Sequence, residues 1–118
     1  MEGLVGAASM VVGPADLALA LGSGDVEVLG TPRLVALCEE ATVAAIADAL
    51  EPGQTSVGVR VEIDHLSPNR VGDEVRATAR VVAVDRRRVR FEVEATSAGG
   101  VVGRGVVVRA VVDRARFA

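Results

Sequence analysis

Four residues of this chain carry side chains suited to carbonyl chemistry at spacings that invite a shared site: Thr31, Glu39, Glu40 and His65. A carboxylate can attack a carbonyl carbon or take a proton from water, and an imidazole with an ordinary pKa near 6.5 (roughly) moves protons at neutral pH. The two glutamates are neighbours inside the mostly apolar stretch LGTPRLVALCEEATVAAIADALEPG, Leu29 to Gly53. An ionised carboxylate in such surroundings is costly unless it is paired, hydrogen-bonded or reached by a water-filled cleft.

Helix geometry separates the two glutamates. Thr31 followed by Pro32 reads as a helix start, a hydroxyl N-cap with proline at the first helical position, and Glu51-Pro52-Gly53 reads as the stop. At about 100° per residue, Val35, Val43, Ile46 and Leu50 fall within about 40° of Glu39. Glu40 lies about 100° away, on the side of Arg33, Ala44, Ala47 and Asp48, and is expected in water near Arg33. Glu39 is expected in the middle of the apolar stripe. Its bland explanation is a buried carboxylate satisfied by an arginine or a backbone amide. After the helix the period changes to two, with Val57, Val59, Val61 and Ile63 alternating with polar or small residues. His65 shares their parity, and points inward if that face lies against the helix. A lone inward histidine is commonly structural, but an inward Glu and an inward His able to reach one pocket are the usual mark of a functional site. Thr31 has N-capping as its ordinary role. The positively polarised helix start is also a natural seat for a carbonyl or thioester oxygen.

The elements that must position these groups follow from the remaining pattern. A first strand is expected at Ala7–Val12. A connection follows at Pro14–Gly30, with Gly-Ser-Gly at 22–24 and a short helical turn at Ala15–Leu21. Beyond the long helix and the strand ending near His65, a turn at Ser67–Asp73 leads to three strands, Glu74–Val84, Val89–Thr96 and Val101–Val112. Tight connections at Asp85–Arg88 and Ser97–Gly100 predict hairpins. The order predicts an α+β domain spanning 1–118, a curved antiparallel sheet wrapped around one long central helix, which is the hotdog fold.

Composition bounds the function. The 118 residues suit one domain. Half are hydrophobic, mostly Val and Ala, and Phe91 and Phe117 are the only aromatics, so the core is made of small branched side chains. A net charge of −3 gives no electrostatic case for a nucleic-acid partner, and there is no aromatic platform for stacking bases. Every basic residue is arginine, which reads as genomic bias. Cys38 is the lone cysteine, so neither an internal disulfide nor metal-ligand spacing is available, and no cofactor is expected. With no signal-peptide pattern and no apolar run of spanning length, a soluble cytoplasmic protein without membrane contact is expected.

The chain resembles the fluoroacetyl-CoA thioesterase-like family of hotdog proteins over Leu29–Val112. The helix start G-T-P-x-L-V-A-L-x-E-x-A holds the family's catalytic Thr and Glu at Thr31 and Glu39, and its catalytic His, 26 residues on, falls at His65 in V-x-I-D-H-L-S-P-N-R-V-G. Gly58 matches a glycine lining the acyl pocket, and G-R-G-V-V-V-R-A-V-V puts Arg109 at the pocket arginine. The resemblance implies an acyl-CoA thioesterase, with Glu39 as nucleophile or activator of water and Thr31 hydrogen-bonded beside it. The fluoroacetyl-specific member carries an aromatic-rich lid before the catalytic Thr, whereas Gly13–Gly30 is shorter and has no aromatic residue. Weak discrimination between acetyl and fluoroacetyl groups is expected.

A hotdog protomer leaves a sheet edge and a helix face to cover, so at least a homodimer is expected, with the site near the subunit boundary. Backbone amides near Gly58 are candidates for the thioester oxygen. Arg86, Arg87 and Arg88 are candidates for the CoA phosphates, although a charged hairpin tip is more often a solvated turn. The main competing reading is a non-catalytic acyl-CoA-binding module, against which the presence of Thr31, Glu39 and His65 counts. A hotdog hydratase would show Asp-Asn-Pro-x-His, which is missing here, and a purely structural dimer would leave Glu39 unexplained.

Overall fold

A computed structural model describes residues 1–117. Strand β1 (Val5–Val11) leads through a 3₁₀ turn at Pro14–Asp16 and the short helix α1 (Ala18–Leu21) to the long helix α2 (Thr31–Ile46). The chain then forms β2 (Gln54–His65), β3 (Glu74–Asp85), β4 (Arg88–Ser97) and β5 (Gly100–Asp113). The strands make one antiparallel sheet in the order β1-β3-β4-β5-β2, so β1 and β2 are its edges. The hairpins fall at the expected places, with Asp85 paired to Arg88 and Ser97 paired to Gly100. Helix α2 stops earlier than the apolar run suggested, because residues Ala47–Ala49 tighten into a 3₁₀ turn.

The core lies between α2 and the concave face of the sheet. Val75, Ala77, Ala79 and Val81 of β3 and Val89, Phe91, Val93 and Ala95 of β4 alternate inward, as the two-residue period requires. From α2 they meet Leu34, Leu37, Cys38, Ala41, Ala45 and Ile46. Small residues let the layers approach closely. A Cβ on Gly6 of β1 would lie 2.6 Å from the Ala41 carbonyl oxygen, so β1 rests directly on the helix backbone. Phe91 is the largest fully buried side chain, and branched aliphatics fill most of the remainder.

Two expectations about facing are corrected. The buried stripe of α2 is the Leu34–Leu37–Cys38–Ala41–Ala45 side, and the Val35–Glu39–Val43 line runs along its margin, with Val43 46% exposed. Glu39 therefore stands at the lip of the core and not in its middle. In β2, the pairing shifts between Gly58 and Arg60, a β-bulge that leaves Val59 as the extra residue. The bulge reverses parity. Before it, Ser56 and Gly58 share a face with Val111 and Arg109 of β5; after it, Val61, Ile63 and His65 share that face with Val107, Gly105 and Gly103. Val57 and Val59 do not belong to the row that His65 extends, and Val59 is 42% exposed.

Candidate active site

Thr31 begins α2, but it is not the cap. Gly30 holds the extended N-cap position, φ −73° and ψ 141°, and Thr31 is the first helical residue. Its hydroxyl is thereby free of the backbone and lies 2.8 Å from His65 Nδ1 at the end of β2. If the Thr31 O–H donates to Nδ1, the ring proton is on Nε2; in the other tautomer Nδ1–H donates to the hydroxyl. Nε2 is buried and has no hydrogen-bond partner among the described residues. Burial pushes the imidazole below its ordinary pKa of 6.5, with the Ser67 backbone pulling the other way. The group is thus biased towards the neutral form that accepts a proton.

Glu39 belongs to a second cluster. Arg109 NH1 donates to Glu39 Oε2 at 3.4 Å, across a pair whose arginine is buried and whose carboxylate is 34% exposed. Arg109 is also held by Ser56, Nε donating to the hydroxyl at 2.9 Å and NH2 to the backbone carbonyl at 3.2 Å. Burial lowers the guanidinium pKa and Glu39 raises it, so the ion pair offsets part of the desolvation that the arginine suffers. Gly58, opposite Arg109 in the ladder, completes the cluster. A Cβ there would sit 2.5 Å from Glu39 Oε2, so glycine is what gives the carboxylate its room. A hollow of about 370 Å³ opens here, lined by Ala36, Glu39, Glu40, Val43 and Arg109. A larger one of about 910 Å³ lies on the opposite, outer face of the sheet among Arg76, Arg80, Glu92, Glu94 and Arg104, remote from these groups.

The remaining candidates sort clearly. Glu40 is on the polar side as expected, its Oε1 3.3 Å from Arg33 NH1, and Arg33 also meets Asp16 at 3.3 Å. Cys38 is buried beside Glu39, and burial followed by the Glu39 charge pushes its thiol up to about 11, which removes it as a nucleophile. Arg86, Arg87 and Arg88 stand exposed at the β3–β4 hairpin. Among the described residues no three His, Cys, Asp or Glu groups converge as metal ligands, and no helix is long and apolar enough to cross a membrane.

The sequence reading missed Ser56 and misread how Gly58 and His65 share a face. Seven residues apart, they would lie on opposite faces of a regular strand. A glycine within a strand is the usual sign of a bulge, and that was the available signal. The structure brings Thr31 to His65 and Glu39 to Gly58 and Arg109. It does not bring the two clusters into contact within the chain: Thr31 and Glu39 are separated by eight residues of helix, about 12 Å.

Known proteins share this arrangement of elements. A fluoroacetyl-CoA thioesterase from Streptantibioticus cattleyicolor is 35% identical over 91 residues, which are 77% of this chain and 66% of the relative, so the chain spans just under two thirds of that protein's length. The structure of the fluoroacetyl-CoA thioesterase FlK superposes with a TM-score of 0.92 at 30% identity, covering 99% of this chain and 91% of the other. A hot-dog-like protein from Thermanaerovibrio acidaminovorans gives a TM-score of 0.88 at 27% identity, covering 98% and 86%. The fold is the hotdog fold. The family model described as fluoroacetyl-CoA-specific thioesterase matches residues 12–115, and the chain belongs to that family.

Proposed function

We propose that the protein is an acyl-CoA thioesterase, hydrolysing a short acyl-CoA to the free acid and CoA through Thr31, Glu39 and His65, with Gly58 and Arg109 lining the acyl site. The observation that carries this reading is the Thr31 hydroxyl, free of capping and 2.8 Å from the only imidazole of the chain. Membership of the thioesterase family supports it independently.

In the proposed reaction Glu39 attacks the thioester carbon, or takes a proton from the water that does. Electrons pass to the carbonyl oxygen, the C–S bond breaks, and CoA leaves as a thiolate that takes up a proton. If an acyl–Glu39 anhydride has formed, water adds to it and restores the carboxylate. In the direct route neutral His65 relays the water's proton from Glu39 to the departing sulfur. In the anhydride route the sulfur takes a proton from solvent, and His65 accepts the proton of the water that opens the anhydride and then releases it to solvent. The Thr31 hydroxyl and backbone amides near Gly58 supply donors to the developing oxyanion.

The protein is proposed to act as a homodimer. The 12 Å (roughly) between the two clusters leaves the acid–base pair and the carboxylate apart in one copy. Strand β2 is a sheet edge of 12 residues without a partner on its outer side, and Val59, Val61 and Val43 lie exposed around it. A second copy related by a twofold axis near the middle of β2 runs antiparallel to the first. It carries its Glu39 towards the Thr31–His65 pair and covers these valines. A cytoplasmic location belongs to the same proposal.

Thiol release from a panel of short acyl-CoAs tests the activity, and sedimentation of the same preparation tests the dimer. Tight acyl-CoA binding without thiol release would favour the binding-module reading. Absence of both binding and turnover across the panel would remove the acyl-CoA assignment.

A further inference from the structure

Arg109 is buried, 7% exposed, and its anchoring is lopsided. Two of its three hydrogen bonds go to a single residue of β2: Nε donates to Ser56 Oγ at 2.9 Å and NH2 to the Ser56 carbonyl at 3.2 Å. The third, from NH1 to Glu39 Oε2, is the longest at 3.4 Å. A guanidinium is planar and rigid, so fixing Nε and NH2 fixes the plane and the direction in which NH1 points. That direction is the Glu39 carboxylate. Among the described residues Arg109 is the only hydrogen-bond partner that carboxylate has.

We propose that Ser56 is a positioning residue: its hydroxyl orients Arg109, and Arg109 holds the Glu39 carboxylate for its attack. The assignment rests on the thioesterase reading of Glu39. The bulge after Gly58 makes it possible, because it turns Ser56 and Gly58 to the helix side while leaving His65 there too. Neither neighbour can substitute, since Thr55 and Val57 project to the other face. Of the two acceptors that Ser56 supplies, the backbone carbonyl survives any substitution and the hydroxyl does not. Losing it strands a buried Nε–H, and the guanidinium must turn to recover a partner. The carboxylate then loses its fixed neighbour, while the Thr31–His65 pair stays as it was. The main effect should fall on kcat, with a smaller one on KM through the place of Arg109 in the acyl site.

The test is steady-state kinetics of the folded protein on its best acyl-CoA, for Ser56→Ala and Ser56→Thr in the parent and in Glu39→Gln. Ser56→Ala is expected to lower kcat roughly tenfold, the scale of one hydrogen bond to a charged group. Ser56→Thr keeps the hydroxyl and should recover most of that rate. In Glu39→Gln the Ser56→Ala change should cost nothing further, because the group it serves is already gone. Should Ser56→Ala fail to fold, Ser56→Cys keeps the volume and weakens the acceptor, with a kcat loss again confined to the Glu39 background. Parent-like kcat in the folded variant, an equal loss in both backgrounds, or a Thr variant as slow as Ala would each overturn the positioning role alone. A parent inactive on every acyl-CoA would overturn the thioesterase reading along with it.

Discussion

The Thr31 hydroxyl lies 2.8 Å from His65 Nδ1, joining the first residue of α2 to the last residue of β2. These are the two ends of the elements that bracket the concave face, and 34 residues of chain separate them. A threonine serving as N-cap would direct its oxygen at the N–H of the second or third helical residue. Here the extended residue before the helix is Gly30, so the threonine side chain is available for the imidazole.

Replacing Thr31 should therefore separate activity from stability. Thr31→Ala is expected to lower turnover while moving the thermal midpoint little, whereas loss of a true N-cap costs about 0.5–2 kcal/mol. Thr31→Ser should retain turnover. Melting curves recorded beside rates check this; a large stability loss with unchanged turnover per folded molecule would return Thr31 to a capping role.

Glu39 and Glu40 should differ sharply. Glu40→Gln removes one exposed pair with Arg33, worth about 0–1 kcal/mol, and should leave turnover intact. Glu39→Gln should abolish most of it. Equal losses in thiol release, or the greater loss at Glu40, would defeat the assignment.

Gly58→Ala should act through Glu39. The new Cβ would lie 2.5 Å from Oε2, and the atom in its way is the end of a side chain at the protein surface, so the carboxylate can swing aside. The fold should survive with little loss of stability. Turnover should fall by up to about 100-fold, the scale of a 1 Å displacement of a reacting group. Unchanged kcat in the alanine variant would show that the carboxylate position does not matter.

Acyl selectivity should be modest. The segment between β1 and α2 is a 3₁₀ turn and a four-residue helix without an aromatic side chain, so it offers no ring to close over an acyl group. Ratios of kcat/KM for acetyl-CoA and fluoroacetyl-CoA should lie close together. A preference of several orders of magnitude for the fluorinated substrate would contradict this.

The period change after Gly53 and the hairpin signals made the order of elements legible, because each is a local property of the chain. Pairing Glu40 with Arg33 followed from helix angle alone and is seen at 3.3 Å. What local pattern could not supply was which of two apolar stripes on α2 meets the sheet. Val35 and Val43 are as hydrophobic as Leu34 and Ala41, and the choice depends on the tertiary position of β1 and β3 against the helix. The bulge at Gly58–Arg60 escaped for the same reason: it is a relation between β2 and β5, visible in one strand only as a glycine. Arg109 could be matched to a pocket position by motif, yet its dependence on Ser56, 53 residues earlier, needed the ladder register.

The pH profile should report His65. Burial lowers its pKa from 6.5, only partly offset by the Ser67 backbone, and the expectation is that burial outweighs the Glu39 carboxylate that the proposed second copy brings near. The neutral imidazole therefore persists below pH 6.5, and activity should hold through that value before falling as pH drops through the lowered folded pKa. Stability moves in the same direction. An unfolded chain, with its histidine near 6.5, binds more protons than the folded one between the two pKa values. The His65 contribution is thus complete above 6.5 and is lost as pH falls through that window. Thr31→Ala should leave the limb below 6.5, since burial and not the hydroxyl is the leading cause. His65→Ala should remove the limb and cost roughly 10²–10⁴-fold in rate, the usual contribution of one acid–base group. Profiles of kcat/KM for the parent and both variants, with circular dichroism at each pH to hold folding apart from chemistry, check the set. A limb centred above 6.5 would show the Glu39 carboxylate prevailing over burial, and near-full turnover in folded His65→Ala would return the histidine to a structural role.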